Sequence, residues 1–528
     1  MPAWIGSPTI YEINTWVWVS ELSAKTKAPV DLSSVPSAEW DSIGSLGFDA
    51  VWLMGVWERS PAGIAIANQN ASLLADFRRA LPDFRPEDNV GSPYCVRQYV
   101  VDRHVGGPKG LAIARKELAK RGMHLILDFV PNHVAPDHPW VTEHTDYFIR
   151  GTLDDLRSDP SSYAKVNRTV FACGRDPYFP AWPDVLQLNA FHPRLRRAVI
   201  ESVSDIATQC DGVRCDMSML VMNPIFERTW GRHAGQRPAT DYWVEVIPAV
   251  KKTHPDFLFI AEAYWDLEWE LQQQGFDFCY DKRLYDRLEH DNAESMRMHL
   301  CAELAYQKKL LRFIENHDEP RAAKAFSAAK EKAAAVSTST LVGAKLFHEG
   351  QFEGRKVRLP VFLGRRPEEP MDSQLHNFYL KLLAAINAPI FREGQWSLCE
   401  RSGWPDNPSY LNIVAWNWVN RDDRYLIVVN LSDRPAQARI KEHSENLGGS
   451  TWRLTDLFSG GEYQRSGDDL VSSGLYVDLG PWGFHFFRCS RIELPEKSVE
   501  SSVGGHQITN NEVRRSIPRA VVRGEERQ

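Results

Sequence analysis

The chain has 528 residues, of which 43% are apolar, and a formal net charge of −7. This length predicts two or three domains around a large core, and the mild acidity differs from the basic footprint of a nucleic-acid binder. No run reaches the roughly 18 apolar residues that span a membrane, and no basic segment leads into an apolar one as in a secretory signal. We therefore expect a cytoplasmic protein that binds neither nucleic acid nor membrane.

Short apolar runs recur through the first three quarters of the chain. Several are rich in Val, Ile and aromatic residues, which is typical of buried parallel strands. Eight runs fit this description: 9–19, 50–57, 124–130, 212–217, 257–265, 276–280, 310–316 and 344–350. Apolar residues at helical spacing lie between many of them, as in Leu111, Ala114 and Leu118. Alternating strands and helices predict an α/β fold, a (β/α)8 TIM barrel over 1–133 and 187–394.

The remaining segments break this alternation. Residues 134–186, after the third predicted strand, are rich in Pro, Asp and aromatic residues, and predict a short inserted subdomain at the barrel's active-site face. Residues 395–490 contain strand-like segments without helices between them, which predicts an antiparallel β-sandwich. Residues 491–528 are polar and aperiodic, so we expect a disordered tail. The eight cysteines stand singly, which favours buried free thiols over zinc or redox motifs.

Barrel enzymes take catalytic groups from the ends of several strands, and polar residues follow four of the predicted strands. These positions are Asp128 through His133, Arg214 with Asp216, Glu262, and Asn316-His317-Asp318. Two histidines near carboxylates are compatible with a metal site or with hydrogen bonds to sugar hydroxyls. Because no pair has the i, i+4 spacing of a helical zinc site, metal catalysis is not predicted.

Two carboxylates stand out among these positions. Residues i and i+2 of a strand share one side, so Arg214 would lie beside Asp216 and keep its carboxylate ionised, as a nucleophile requires. Glu262 has apolar and aromatic neighbours, and desolvation would raise its pKa toward that of a general acid. Structural roles are the alternatives: an ion pair in the barrel mouth for Asp216, and a buried, paired carboxylate for Glu262.

Four short motifs in this order resemble the signature regions of the α-amylase superfamily of retaining glycoside hydrolases and transglycosylases. They are DFVPNH (128–133), GVRCD (212–216), AEAY (261–264) and ENHD (315–318), with LQLN (186–189) as a looser fifth. The resemblance covers the chain to about residue 490. It implies an enzyme acting on α-linked oligosaccharides or glucans.

The resemblance also assigns roles to individual residues. It implies that Asp216 is the nucleophile, Glu262 the acid/base and Asp318 a third carboxylate that grips sugar hydroxyls. It further implies supporting roles for the following residues: Arg214 orients the nucleophile, His133 and His317 bind hydroxyls, Tyr94 stacks under the sugar, and Asp128, Asn132 and Asn316 have structural positions. The two catalytic carboxyls are then expected roughly 5–5.5 Å apart, as in retaining enzymes.

The chain departs from the family pattern at two positions. Typical α-amylases carry a Lys-His pair three and four residues after the nucleophile, where this chain has Met219 and Leu220. Asn132 matches a calcium-binding position of many relatives, but no clear set of acidic partners is visible. We expect no cofactor, with calcium as the open alternative.

The sequence leaves three functions open. Hydrolysis of α-glucosidic bonds is the main prediction, transglycosylation through the same intermediate is the second, and a non-catalytic carbohydrate-binding relative is the third.

Overall fold

The computed structural model of the chain describes residues 6–421, 423–442 and 446–492. Eight parallel strands form a closed barrel in which each strand pairs with its neighbours in the sequence. We name these strands β1 to β8, and they span Thr9–Asn14, Ala50–Met54, His124–Phe129, Gly212–Cys215, Leu258–Ala261, Phe278–Tyr280, Leu310–Arg312 and Ala344–His348. Each predicted apolar run contains one of them. The predicted TIM barrel is therefore confirmed.

The prediction of a strand over residues 9–19 was wrong for the second half of this segment. Strand β1 ends at Asn14, and residues Thr15–Thr26 form a helix. The Asn14 side chain accepts a hydrogen bond from the backbone N–H of Val17, which caps the helix N-terminus. The helix buries Val17, Trp18 and Val19, so the apolar run combines a buried strand with the buried face of a helix.

Helices connect the barrel strands, and a hairpin follows β2. The α-helices between and after the barrel strands are Thr15–Thr26, Ser37–Ser45, Pro61–Ala67, Ala71–Ala80, Gly107–Lys120, Pro193–Gln209, Asn223–Trp230, Tyr242–Lys251, Glu268–Gln273, Lys282–His290, Ala293–Leu300, Leu304–Gln307, Ala322–Ala325, Ala328–Thr340, Ser373–Ile386 and Ile390–Glu393. The 3-10 helices are Pro86–Asp88, Arg103–Val105, Thr145–Tyr147, Ser218–Val221, Gly231–Ala234 and Pro408–Asn412. The hairpin pairs Trp57–Arg59 with Val96–Val101.

The segment after β3 forms a small sheet of its own. Its strands are His133–Val134, Arg150–Gly151, Tyr163–Val166, Thr169–Gly174 and Trp182–Gln187, and its helices are Trp140–Glu143 and Leu153–Ser158. All strand pairs in this sheet are antiparallel. The sheet begins at His133 and ends at Gln187, so its first and last strands in the sequence connect it to the barrel, and these two strands pair with each other.

The C-terminal region contains a six-stranded and a three-stranded antiparallel sheet. The strands are Gln395–Leu398, Glu400–Ser402, Ile413–Asn420, Asp423–Asn430, Ala436–Lys441, Thr451–Asp456, Glu462–Ser466, Leu475–Leu479 and Phe484–Ile492, with one helix at Gly467–Ser472. A separate apolar cluster, including Ile413, Val428 and Leu454, fills this region. The predicted C-terminal antiparallel domain is confirmed. Of the tail predicted from residue 491, residues 493–528 lie outside the described part of the chain.

The cysteines are free thiols, and seven of the eight are buried. Cys301 is exposed, so the prediction of buried thiols was wrong at this position. Cys301 is the C-cap residue of helix Ala293–Leu300, and it is exposed to solvent. Within residues 6–421, 423–442 and 446–492, we find no helix with the length and apolar character needed to cross a bilayer.

Candidate active site

The pairing of β4 with β5 brings two carboxylates to the same rim of the barrel. Cys215 lies opposite Ala261 in the register of these strands, so the residues that follow, Asp216 and Glu262, are neighbours. Backbone bonds extend the alignment, because the N–H of Asp216 donates to the Phe129 carbonyl at 2.8 Å and that of Glu262 to the Cys215 carbonyl at 3.1 Å. The rim is the carboxyl end of the strands, where barrel enzymes place their reactive groups.

One guanidinium contacts all three predicted carboxylates. Arg214 is buried, and its Nη1 lies 2.8 Å from Asp216 Oδ1. Its Nη2 lies 2.8 Å from Glu262 Oε2 and 3.8 Å from Asp318 Oδ2. Its Nε donates to the Tyr280 hydroxyl at 3.2 Å, which fixes the plane of the group. Residues from three separate strand ends therefore converge on Arg214.

Two further donors hold Glu262. The backbone N–H of Met217 donates to Glu262 Oε2 at 2.6 Å, and the Tyr264 hydroxyl donates to Oε1 at 3.0 Å. Met217 has a positive φ of 40°, a conformation uncommon for residues other than glycine, found in turns and at functional sites. This turn directly after Asp216 directs the N–H toward Glu262.

Burial dominates the acidity of the two neighbouring carboxyls. It raises the pKa of Glu262 to about 7, although the charge of Arg214 opposes the rise. Burial also raises the pKa of Asp216, against the charge and hydrogen bond of Arg214. Arg214 thus favours the ionised form of Asp216, as expected from the sequence, but burial is the larger effect. A carboxyl with a pKa near 7 carries a proton near neutral pH, as a general acid must.

This elevated pKa predicts the pH dependence of turnover. A general acid must carry its proton, so with Glu262 in the expected acid/base role, kcat/KM for an oligosaccharide is expected to fall as pH rises through about 7. An unshifted glutamate would lose its proton near 4.5 and give the fall there. A pH profile from 4 to 9 distinguishes the two, and a limb near 4.5 would contradict the assignment.

His317 lies between two carboxylates beside Tyr94. Its Nδ1 is 2.5 Å from Glu12 Oε1, and its Nε2 is 2.9 Å from Asp318 Oδ2 and 2.7 Å from the Tyr94 hydroxyl. Burial alone would lower the pKa of His317, but Asp318 and Glu12 outweigh it and raise the pKa well above the usual value. The pKa of Asp318 shifts downward. Burial alone would raise it, but the charge and hydrogen bond of His317 outweigh burial and lower the pKa of Asp318 to about 2.

A cavity of about 320 Å³, which we call the catalytic pocket, opens over these groups. Its wall consists of Ser92, Tyr94, His133, Trp182, Asp184, Val185, Asp216, Met217, Glu262, Tyr264, Asp318 and Phe362. His133 is buried against Trp182, with 5.2 Å between ring centroids, and burial lowers its pKa to about 4. At neutral pH, His133 is therefore an uncharged hydrogen-bonding group in the wall.

Asp128 and Asn316 serve the framework around the pocket. Asp128 is buried and accepts hydrogen bonds from Trp52 Nε1 at 3.2 Å and from the Gly55 N–H at 2.8 Å, and burial raises its pKa to about 6. The Asn316 amide oxygen accepts the backbone N–H groups of Asp318 and Glu319, both at 2.9 Å. These bonds shape the turn that carries Asp318. Both residues thus lie where a structural position was expected.

The surroundings of Asn132 do not fit a calcium site. Its amide oxygen accepts a hydrogen bond from Gln187 Nε2 at 2.8 Å, while its own Nδ2 donates to Gln187 Oε1 at 3.2 Å. Calcium needs six to eight oxygen ligands, usually including carboxylates. Across the ranges that the structure describes, no cluster of three or more His, Cys, Asp or Glu residues could hold a metal. The paired amides join the barrel to the inserted sheet through direct hydrogen bonds.

This amide pair predicts a stability effect. Gln187→Ala would leave buried Asn132 groups without a partner, so we expect the free energy of unfolding to fall by about 1–3 kcal/mol in urea titrations. Exposed Gln273→Ala is the control, expected to change it by less than about 0.5 kcal/mol. EDTA is expected to leave the Tm of the parent unchanged. A clear fall in Tm that added calcium restores would contradict this prediction.

Several wall residues were not predicted from the sequence. Trp182 and Asp184 come from the inserted sheet, and Phe362 comes from the long loop after β8. Glu12 is a buried carboxylate inside strand β1, and this departure from an apolar run was a usable signal. Tyr264 was visible as part of AEAY. Trp182 and Phe362 carry no local signal, because only the folded chain brings them to the pocket.

The two residues that depart from the family pattern are buried. Met219 and Leu220 lie in the 3-10 helix Ser218–Val221 with 0% and 2% exposure. Neither lines the catalytic pocket. The side chains at these two positions therefore provide no polar group to the catalytic pocket.

Known proteins with similar sequences were found for most of the chain. An α-amylase from Haloarcula japonica, MalA, is 24% identical over 487 residues, covering 89% of this chain and 60% of the relative. An α-1,4-glucan:maltose-1-phosphate maltosyltransferase from Rhodospirillum rubrum is 27% identical over 237 residues, covering 43% of this chain and 28% of the relative. The chain thus spans 60% or less of the length of these two relatives.

The fold and family are shown by two further comparisons. The crystal structure of a maltogenic α-amylase, AmyB, from Thermotoga neapolitana has a TM-score of 0.66 at 18% identity and covers 93% of this chain and 100% of its own. The family model for the α-amylase catalytic domain matches residues 37–415. Since this match covers most of the chain and contains the four motifs and the three converging carboxylates, the protein belongs to the α-amylase family.

Proposed function

We propose that the protein hydrolyses α-glucosidic bonds of oligosaccharides with retention of configuration. The observation that carries this proposal is the convergence of Asp216 and Glu262 on one guanidinium, each at 2.8 Å. Two carboxyls bound to the same small group lie close together, and the proposal requires the roughly 5–5.5 Å separation of retaining enzymes. The wider gap of inverting enzymes leaves room for a water molecule between the carboxyls and the sugar.

In the first step, Glu262 protonates the glycosidic oxygen while Asp216 attacks the anomeric carbon. The bond between that carbon and the oxygen breaks, the leaving sugar departs as an alcohol, and a covalent glycosyl ester forms on Asp216. In the second step, the Glu262 carboxylate takes a proton from water, whose oxygen attacks the anomeric carbon and releases Asp216. Two inversions give net retention.

The surrounding residues hold the sugar and its developing charge. Asp318, with its pKa lowered to about 2, stays ionised and is placed to accept hydrogen bonds from sugar hydroxyls. Protonated His317 and neutral His133 supply further hydrogen-bonding groups in the site. The Tyr94 ring contacts Arg214, with 5.2 Å from guanidinium carbon to ring centroid, and offers a face for the apolar side of the sugar.

Transfer to a sugar acceptor is a second candidate function. Trp265 lies three residues after Glu262 in the sequence and packs edge-on against exposed Tyr178 at 4.8 Å between centroids, and Phe179 is 67% exposed. Aromatic faces bind sugar rings and displace water, so this surface favours an acceptor sugar. Some curated relatives are named as maltosyltransferases, which use an acceptor in place of water.

The product profile with maltotetraose tests the proposal. Purified protein is incubated with this substrate, and the products are separated by chain length over time. Hydrolysis predicts only products shorter than the substrate, and transfer predicts longer ones as well. Unchanged maltotetraose, with turnover of no other α-glucoside, would instead favour a non-catalytic carbohydrate-binding protein and contradict both enzymatic functions.

A further inference from the structure

A second cavity adjoins the catalytic pocket on one side. It has a volume of about 640 Å³, twice that of the catalytic pocket, and Asp318 and Phe362 line both. We call it the basic cavity. Its wall is formed by helix Ala71–Ala80, the segment after Asp318, and residues 356–362 of the loop after β8. The Arg358 guanidinium donates to the Asp318 carbonyl at 2.8 Å, which joins this loop to the catalytic residues.

The position of Glu262 shows which part of a substrate the basic cavity would receive. Glu262 lines the catalytic pocket but not the basic cavity. Because the general acid must contact the leaving oxygen, the leaving sugar extends on the Glu262 side. The basic cavity lies on the Asp318 side. It is therefore placed for the glycone, the part of the substrate that becomes bonded to Asp216.

The charge of the basic cavity is opposite to that of the whole chain. Five Lys and Arg side chains and the protonated His317 line it, against two carboxylates, in a chain with net charge −7. Arg79 pairs with Asp76 at 2.8 Å, Arg321 pairs with Glu315 at 3.1 Å, and Asp318 is held by His317.

Two cations remain without such compensation. Lys324 and Lys356 are exposed, and neither forms an ion pair with a carboxylate of the described residues. Arg358 is also exposed, but it bonds to the Asp318 carbonyl, and its charge helps to lower the pKa of Asp318. Leu73, Val357 and Leu359 supply apolar wall between them. An apolar wall suits the face of a sugar ring, whereas uncompensated cations around a cavity favour an anionic group.

We propose that the basic cavity binds a phosphate ester on the glycone sugar, so that the enzyme prefers phosphorylated α-glucosides. A phosphate monoester carries about −1.5 to −2 charge at pH 7 and three strong acceptor oxygens, a match for the two lysines without a carboxylate partner and the neighbouring Arg358. Neutral sugars would leave these charges without a partner. This inference rests on the proposed function and names the substrate class of the same site.

Binding to an inactive variant tests the inference without requiring turnover. The ligands are p-nitrophenyl α-maltoside and the same compound with a 6-phosphate on its non-reducing glucose, because the nitrophenyl group takes the Glu262 side and leaves both glucose units on the glycone side. Calorimetric Kd values are measured with the Asp216→Asn protein, which lacks the group that would form the glycosyl ester. We expect the phosphorylated ligand to bind at least about tenfold more tightly, with the preference weakening as salt increases.

The cavity lysines provide the variant and its control. Lys324→Met with Lys356→Met, added to the same background, is expected to lower the ratio of the two Kd values at least fivefold. Exposed Lys109→Met, on helix Gly107–Lys120, is expected to leave the ratio unchanged. Equal affinity for the two ligands, or a ratio that survives the double substitution, would overturn the phosphate site and leave the proposed function intact. If neither ligand binds, both are wrong.

Discussion

Replacing Asp216 with Asn is expected to lower kcat for maltotetraose by roughly 10⁴–10⁶-fold, as for loss of other covalent nucleophiles. The amide nearly preserves the volume of the side chain but cannot form the glycosyl ester. Asp216 is buried and meets Arg214 at 2.8 Å, so the substitution also removes a charge that Arg214 compensates. Initial rates over long incubations, with the purified variant, measure the loss.

A matched aspartate separates this loss from a general effect of charge removal. Asp456 is also buried, and its carboxylate lies 2.7 Å from the His485 ring in the C-terminal domain. It does not line the catalytic pocket. Asp456→Asn is expected to retain kcat within a few-fold. If Asp216→Asn turned over maltotetraose as fast as the parent, Asp216 would not be the nucleophile.

Replacing Glu262 with Gln is expected to lower kcat for maltotetraose by about 10²–10⁴-fold, the usual contribution of a general acid. The size of this loss should depend on the leaving group, because a sugar alkoxide needs a proton to depart while fluoride departs without one. The first step with α-maltosyl fluoride should therefore slow much less than the first step with maltotetraose. Rapid-quench measurements of both substrates give this difference.

Glu331 is the control for Glu262. It is buried, burial raises its pKa to about 7, and it accepts a hydrogen bond from Tyr379 at 3.0 Å. Glu331→Gln removes a similar proton from a similar environment outside the pocket, and kcat is expected to change little. Equal losses for both substrates with Glu262→Gln would indicate a binding or structural role for Glu262.

The sequence predicted the elements that bear the carboxylates better than the contacts between them. Spacing on a single strand placed Arg214 beside Asp216, because side chains alternate with a period of two. The contact of Arg214 with Glu262 depends on the pairing of Cys215 with Ala261. Strand register is a tertiary property, so the sequence alone could not supply this contact.

Backbone conformation and long loops account for most of what was missed. The positive φ of Met217, which directs its N–H to Glu262, follows from the turn after β4 and not from any property of methionine. Phe362 and the basic cavity depend on where a long loop packs. The helix beginning at Thr15 was missed because its buried face is as apolar as the strand before it.

The side-chain partner of Asn132 could not be predicted from the sequence. Asn132 resembles a calcium-binding position of relatives, and in this chain it forms a paired amide with Gln187. Gln187 lies 55 residues further along the chain. Only the folded structure shows that the two side chains satisfy each other.

The most direct test of the covalent mechanism is to trap the glycosyl-enzyme. Glu262→Gln protein is mixed with α-maltosyl fluoride, whose fluoride leaves without an acid, while release of the sugar lacks its general base. Mass spectrometry of the intact protein and its peptides should show one added maltosyl group on the peptide containing Asp216. A sugar attached to a different residue, or an unlabelled variant together with β-maltose as the first product of the parent enzyme, would contradict retention through Asp216.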